Sequence, residues 1–572
     1  MSAPRTLYRS GRLVVAICAV ASMQERARGA GAIGGPAQFR EEALTRGIVY
    51  TPNQTPLFGD GLAFADLDDD GDPDVVLLGQ ALGLVGVFEN DGTGQFTDRS
   101  GTSGIVPLVN ASGVVAGDYD RDGDLDLYIS RLNVANRLLR NDGGLAFTDV
   151  TLTAGVGDTG FGTGCAWGDY DGDGWLDLYV PNRGVTHDVP AANRLYHNLG
   201  DGTFEEVAVQ AGVDLSSGGS FQATFFDYDR DADADLYVIS IRGFCNAISP
   251  ARSHLFENVA GSFVDVTDTS GADACGVDAM CIAPGDFDNN GFQDLYITNT
   301  PVGNALLSNQ GDGTFVRDET PAGVISYATG WGSVFFDYDN DGFLDLYVCN
   351  VYTQGALNRL YHHQGAFPAQ DIATALAVAV GGDSYSVAVA DIEDDGDLDM
   401  LVMNRGEPIR LFVNQEGQTR RWAKFNVYGE QGDRYSIGAN VDVRTGSTWR
   451  IREVVAGSGY KSQNQLVVHF GLNNALIMDE IVITWPGGTT RTLTNIATNQ
   501  TYPLYPPDRL GDADGNGVID AADVGVLVAV LLGTDTSVPH EAVNDFNGDG
   551  RADGLDIDPF VQTMISGRRV PG

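Results

Sequence analysis

Between residues 39 and 416 the chain alternates short apolar runs with turns rich in Gly, Asp and Asn. One order recurs: an acidic turn, an apolar run such as DLYIS or DLYVCN, then a run of the N-R-L type (NRLLRN, NRLYHN, NRLYHH). A short run opening on Phe follows, as in FTDVT at Phe147, FEEVA at Phe204 and FVDVT at Phe263. Each unit therefore predicts about four short strands, and units of roughly 40–50 residues with four strands are blade-sized. The acidic turn occurs seven times, starting at Asp66, Asp118, Asp169, Asp227, Asp286, Asp337 and Asp391, at intervals of 51 to 59 residues. Seven units predict a mainly β chain with a seven-bladed β-propeller over 38–416. A solenoid fits less well, because it needs distinct polar caps at its ends. The Phe runs begin at Phe39, Phe96, Phe147, Phe204, Phe263, Phe315 and, in degraded form, Phe367. The first precedes the first acidic turn and none follows the last. The segment Phe39–Ile48 is thus expected to supply the missing edge of the seventh blade and leave the ring no open edge.

After Asn414 the pattern changes. WAKFNVYG, ANVDVRTG, WRIREVVAG, LVVHFGL and EIVITWPGG alternate apolar and polar residues between Gly-rich turns, which predicts a small antiparallel β-domain over 420–505. Tyr505-Pro506-Pro507 reads as a linker. Over 508–568, DADGNGVIDAAD and DFNGDGRADGLD run into VGVLVAVLL and PFVQTMI, predicting a small α-helical EF-hand-like module.

The acidic turns carry the chemistry. In DYDRDGDLD carboxylates occupy positions 1, 3, 5 and 9, and Gly at 6 permits the left-handed turn that wraps the chain around an ion. This is a hard-oxygen set suited to Ca²⁺ rather than to Mg²⁺ or Zn²⁺. The candidate ligands are Asp66, Asp68, Asp70 and Asp74; Asp118, Asp120, Asp122 and Asp126; Asp169, Asp171, Asp173 and Asp177; and Asp227, Asp229, Asp231 and Asp235. They continue with Asp286, Asp288, Asn290 and Asp294; Asp337, Asp339, Asp341 and Asp345; and Asp391, Glu393, Asp395 and Asp399. The two C-terminal loops add Asp512, Asp514, Asn516 and Asp523, and Asp545, Asn547, Asp549 and Asp556, with an acid at position 12. Up to nine Ca²⁺ sites follow. A plain Asp-Gly hairpin explains one such turn, but seven in one register would place many repelling carboxylates together unless a cation is bound. Ala232 replaces the turn Gly in the fourth loop, which is expected to bind most weakly. Asn290 removes a charge from the fifth and Glu393 lengthens a ligand in the seventh.

Charge and composition sharpen this picture. The chain has 572 residues and a net charge of −44, which disfavours nucleic acid and anionic membrane surfaces. The nine loops hold 41 of the 78 acidic residues and three Arg, so they carry −38 and the rest of the chain only −6. Arg5, Arg9 and Arg12, the apolar run Leu13–Met23 and Ala19-Val20-Ala21 read as a secretory signal peptide over 1–21. No later segment is long and apolar enough to anchor the chain by a helix. Five cysteines then remain, Cys165, Cys245, Cys275, Cys281 and Cys349, an odd number that leaves at least one unpaired. Cys275 is spaced for a small loop disulfide with Cys281, and Cys245 competes. No GxSxG, HExxH, Walker loop or dinucleotide fingerprint is present, and His469 between Val468 and Phe470 reads as a packing or hydrogen-bonding residue. The chain reads as a non-enzyme.

The acidic repeats resemble the FG-GAP/VCBS repeats of integrin α-chain-type propellers, where such ions stiffen loops on one face. Ser436–Ala439, Gly459–Gln463, His469–Leu472 and Trp485–Gly488 resemble the ASPIC/UnbV domain, and the combination is similar to the cartilage acidic protein family. The C-terminal pair of loops resembles a type I dockerin, which implies a cohesin-like partner for that module. Ala521-Ala522 and Gly554-Leu555 stand where the usual Ser/Thr-like recognition residues would be, which favours calcium binding over cohesin binding. The expectation is a secreted or cell-surface calcium-binding adhesion or scaffold protein with an extracellular protein or glycan partner. The alternative is a component of polysaccharide degradation, accessory or catalytic, tethered through the dockerin-like module. A third reading is a carbohydrate-binding module without catalysis.

Overall fold

The computed structural model describes residues 39–566, apart from 53–59, 185–190, 217–218, 242–251, 275, 301, 352–354, 416, 430–432, 514–518, 520 and 536. The expected signal peptide, Asp514 and Asn516 lie outside the described residues. Seven four-stranded antiparallel sheets form, and each acidic turn joins the first strand of a sheet to its second. The first strands are Leu62–Ala65, Ala111–Gly117, Ala166–Gly168, Ser220–Phe226, Ile282–Gly285, Thr329–Phe336 and Ser384–Ala390, almost wholly buried along their length. Each packs against the first strands of the sheets before and after it, and Leu62–Ala65 packs against Ser384–Ala390. The sheets thus stand around an axis in a propeller-like ring. Burial on both faces explains why these strands read as continuous apolar runs rather than alternating ones. The outer strands show the opposite pattern. In Phe96–Asp98 and Phe147–Asp149 the Phe is buried and the next two residues are exposed.

Closure follows the expected register. Strand Phe39–Glu41 pairs with Arg410–Asn414, placing Phe39 opposite Asn414, so the sheet that begins at Ser384 takes its fourth strand from the start of the described chain. The sixth sheet departs from the sequence reading. Its outer strand is Gln370–Asp371, while Phe367 lies outside it and stacks on His363 with ring centroids 4.4 Å apart.

The β-domain has two sheets. One holds Thr448–Glu453, Asn440–Thr445, Ile477–Thr484 and Thr490–Ala497; the other holds Val468–Asn473, Arg421–Val427 and Thr501–Leu504. Arg421–Val427 and Thr501–Leu504 pair in parallel, a refinement of the antiparallel expectation. The long connection between them provides the crossover that a parallel pair requires. The C-terminal module has helices Ala521–Leu531, Val538–Asn544 and Ile557–Ser566. The middle one went unread in the sequence although Pro539 marks its first turn. Its second loop is fastened to the β-domain: Arg491 donates to the Asp545 carbonyl at 2.6 Å, and Thr494 N–H to the Gly548 carbonyl at 2.9 Å.

The β-domain enters the ring. Its segment Ala456–Gln465 runs along the inner strands, whose free edges would otherwise face an open channel. Gln463 N–H and C=O pair with Leu62 and Phe64, Val114 N–H donates to Lys461 O, Trp167 N–H to Ala456 O, Gly459 N–H to Ile282 O, and Gln465 N–H to Val389 O. Gln222 donates to Gly459 O. Six of the seven inner strands are met by hydrogen bonds, and Tyr460 packs on Trp331 of the remaining one with ring centroids 5.1 Å apart. Gly457 turns this segment at φ 97°, where a Cβ would lie 2.3 Å from the Cys165 carbonyl. Cys165, Cys281 and Cys349 are buried free thiols. The Cys275–Cys281 pairing considered from spacing is therefore not formed, because Cys281 leads into a channel-lining strand. Cys245 and Cys275 lie outside the described residues.

Candidate cation-binding loops and their cap

All seven propeller loops share one hydrogen-bond frame. The first carboxylate accepts, on one oxygen, the N–H of position 6: Gly71, Gly123, Gly174, Ala232, Gly291, Gly342 and Gly396. The ninth carboxylate is a staple. One oxygen accepts the N–H of position 2, as Asp126 does from Tyr119 at 3.2 Å. The other accepts an N–H at the end of the third strand, as Asp126 does from Asn141 at 2.8 Å. The sequence reading placed this acid in an ion's shell; the structure shows both its oxygens already engaged by backbone in every loop.

The third-strand Asn extends the staple to the neighbouring sheet. Asn141 Nδ2 donates to Leu67 O at 2.7 Å, Asn198 to Tyr119 O at 2.8 Å, Asn258 to Tyr170 O at 2.6 Å, Asn309 to Tyr228 O at 2.8 Å and Asn414 to Tyr338 O at 2.6 Å. Asn90 closes the circle on Ile392 O at 3.0 Å. His363 holds the seventh such place. Position 4 of several loops, in the left-handed region, also reaches forward. Arg121 donates to Gly174 O, Arg230 to Gly291 O at 3.0 Å, Asn289 to Gly342 O at 3.1 Å and Asn340 to Gly396 O at 2.9 Å. Loop three has Gly172 there and cannot reach. The β-domain's Gly487 N–H donates to Ala232 O instead, at 3.0 Å.

That domain caps the loops. Arg434 pairs with Asp66 at 2.6 Å, Arg420 with Asp339 at 2.6 Å, and Lys424 with Asp391 and Asp394 at 2.6 and 2.5 Å. Asn440 donates to Asp227 at 3.2 Å and Arg450 to Gly342 O at 3.0 Å. His469 Nε2 lies 3.0 Å from Gly396 O and so carries the proton it donates. Burial, the largest cause, pulls its pKa down to about 3. The hydrogen-bonding role read for it from sequence is what the structure shows. Gly471 lets the backbone pass, since a Cβ there would sit 2.0 Å from Asp337 Oδ2. These capping residues were invisible as site residues in the sequence, because nothing in their own spacing marks them as partners of acids far along the chain.

The loops are acid-rich, and their first and ninth carboxylates are mostly buried while others reach solvent. Burial first, and then neighbouring carboxylates, push Asp68 up to about 6 and Asp118 to about 8. Burial also raises Asp286 to about 7 and lifts Asp345 and Asp399 well above the carboxylate range. Asp68, Asp118, Asp120 and Asp229 each keep one buried oxygen that accepts no hydrogen bond. A buried anionic oxygen with no donor requires a proton or a cation, so these residues fit a metal ion. Positions 1, 3 and 5 converge in the first two loops: ligand atoms of Asp66, Asp68 and Asp70, and of Asp118, Asp120 and Asp122, lie within 4.8 Å of one another. Asp169, Asp171 and Asp177 converge likewise, as do Asp171, Asp173 and His197, and Asp339, Asp345 and His362. In the C-terminal module Asp545 accepts the N–H groups of Gly548, Asp549 and Gly550, and Asp556 those of Phe546, Asn547 and Asp553. Asp512 and Asp523 are buried there.

Models of known families match along the chain. The FG-GAP-like repeat model matches residues 66–129, 130–180, 185–238 and 286–348; the ASPIC and UnbV model matches 429–510; and the dockerin type I domain model matches 510–560. Cartilage acidic protein 1 of Xenopus tropicalis is 26% identical, covering 77% of this chain and 72% of its own. The Homo sapiens protein of that name is 26% identical, covering 82% and 75%. A streptogramin B lyase structure aligns at 10% identity over 64% of this chain and 97% of its own, with a TM-score of 0.39. No helix among the described residues is long and apolar enough to cross a membrane.

Proposed function

We propose that this chain is a secreted calcium-binding interaction protein that acts as an adhesion or scaffold component, with an extracellular protein or glycan as partner. The buried, donor-free oxygens of Asp68, Asp118, Asp120 and Asp229 carry the calcium part of this reading. Ca²⁺ accepts six to eight oxygens in flexible geometry and would neutralise each loop. Positions 1, 3 and 5 would hold it, with Asp512, Asp523, Asp545 and Asp556 serving the C-terminal pair. The likeness to cartilage acidic protein and the match to a type I dockerin support an extracellular interaction role. They also suggest a cohesin-like partner for the last module.

The binder reading rests on how the acids are used. A glycosidase needs two carboxylates across a cleft, whereas the ring's acids are tied into backbone frames and cap contacts. The test is a screen of the mature chain against glycans, cohesin modules and model polysaccharides, with and without Ca²⁺. Calcium-dependent capture without product formation is expected. Reproducible release of sugar would overturn the binder reading in favour of polysaccharide degradation.

A further inference from the structure

We propose that the third loop is a mixed oxygen–nitrogen site for a borderline divalent cation of the Zn²⁺ and Co²⁺ class, set apart from neighbouring loops that take Ca²⁺. It rests on the reading that these loops hold cations at all. The distinction comes from the residue just before each third-strand Asn or its equivalent. In chain order these are Glu89, Arg140, His197, Glu257, Ser308, His362 and Val413. Only in the third and sixth sheets is that residue an imidazole.

In the third sheet His197 Nδ1 lies 3.3 Å from Asp171 Oδ2 and 3.2 Å from Asp177 Oδ1. One ring nitrogen of His197 and one oxygen each of Asp171 and Asp173 fall within 4.8 Å of one another. The edge of Tyr170 holds the ring, with centroids 6.0 Å apart. Asp171 and Asp173 are exposed, so an ion can enter from solvent. Asp171 and Asp177 pair with the His197 ring, and the Arg121 guanidinium meets this loop at the Gly174 carbonyl. The sixth sheet is the internal contrast. His362 Nδ1 is 2.9 Å from Asp345, but Arg420 already pairs with Asp339 at 2.6 Å. That loop's third-position acid is neutralised by the protein.

Ca²⁺ selects hard oxygen donors, and an imidazole nitrogen is a poor ligand for it. Zn²⁺ and Co²⁺ accept imidazole and carboxylate together at four-coordinate sites. Binding displaces the proton that the ligating imidazole nitrogen would otherwise carry. The loop therefore offers two carboxylates and one imidazole, with water to complete the shell.

The experiment uses the mature full-length chain, stripped of metal and then held in excess Ca²⁺. Co²⁺ is titrated in and followed by its visible absorption, with Zn²⁺ as competitor. One Co²⁺ equivalent is expected to bind in the presence of Ca²⁺, to be displaced by Zn²⁺, to weaken at least ~10-fold in His197→Gln and to persist in His362→Gln. An isotherm unchanged in His197→Gln, equal loss in both variants, or no Co²⁺ binding against Ca²⁺ would overturn the proposal. The melting temperature of the same samples with and without Ca²⁺ separates the two readings. If Ca²⁺ stabilises the chain but Co²⁺ binding ignores His197, only this inference fails.

Discussion

At the scale of single residues, Asn141 shows how the ring is fastened. Its Nδ2 bridges Leu67 O and Leu125 O, joining the loops of two sheets at 2.7 and 3.2 Å. Asn141→Leu leaves two buried carbonyls without donors and should cost roughly 2–4 kcal/mol in denaturant unfolding. A loss below ~0.5 kcal/mol would remove the staple's importance. Ala232 was legible as an oddity from sequence alone, and its φ of 71° confirms the left-handed turn. Ala232→Gly should therefore stabilise the chain by roughly 1 kcal/mol, read from the same denaturation curve. The loop acids set the pH response. Asp68, Asp286 and Asp118 are raised to about 6, 7 and 8 in the folded chain. Such groups hold their protons more tightly folded than unfolded, so their stabilisation is full below about pH 4 and fades as pH rises through the folded values. The metal-free protein should lose melting temperature between pH 5 and pH 8, and excess Ca²⁺ should abolish that decline. A flat metal-free profile would contradict the buried-acid account.

At the scale of elements, the strands were legible because their signals are local: an apolar run, a turn and a Phe at a fixed place. Where the signal degraded the reading slipped, and the strand expected at Phe367 formed instead at Gln370–Asp371. The contribution of Phe39–Glu41 to the last sheet was also legible, since the count of Phe runs left one sheet short. The segment Ala456–Gln465 was legible only as a motif. Nothing in Gly459-Tyr460-Lys461 reports that inner strands far along the chain lack partners until this segment lies beside them. Tyr460 is fully buried against Phe221 and Trp331. Tyr460→Ala should cost roughly 3–5 kcal/mol, as for other large-to-small core changes. It should also expose the channel to an apolar dye. Wild-type stability in that variant would show that the segment merely fills space.

At the scale of the whole molecule, the −44 charge is a property of nine loops more than of the surface. The structure adds that the protein supplies cations of its own, Arg420, Lys424 and Arg434, from the domain that caps the ring. That coupling was beyond sequence reasoning, because it joins acids and bases that share no local pattern. It ties the β-domain to the ring, so a cation filling the loops would stabilise both together. Each site filled at a hundredfold excess over its dissociation constant contributes about 2.7 kcal/mol through preference for the folded state. The most direct measurement is calorimetry of the purified chain with Ca²⁺ and after chelation, paired with a count of bound calcium. Several Ca²⁺ equivalents, a single transition for ring and β-domain, and a fall of at least ~10 °C on chelation are the expected result. A melting curve indifferent to chelation, or a chain that retains no calcium, would contradict the account.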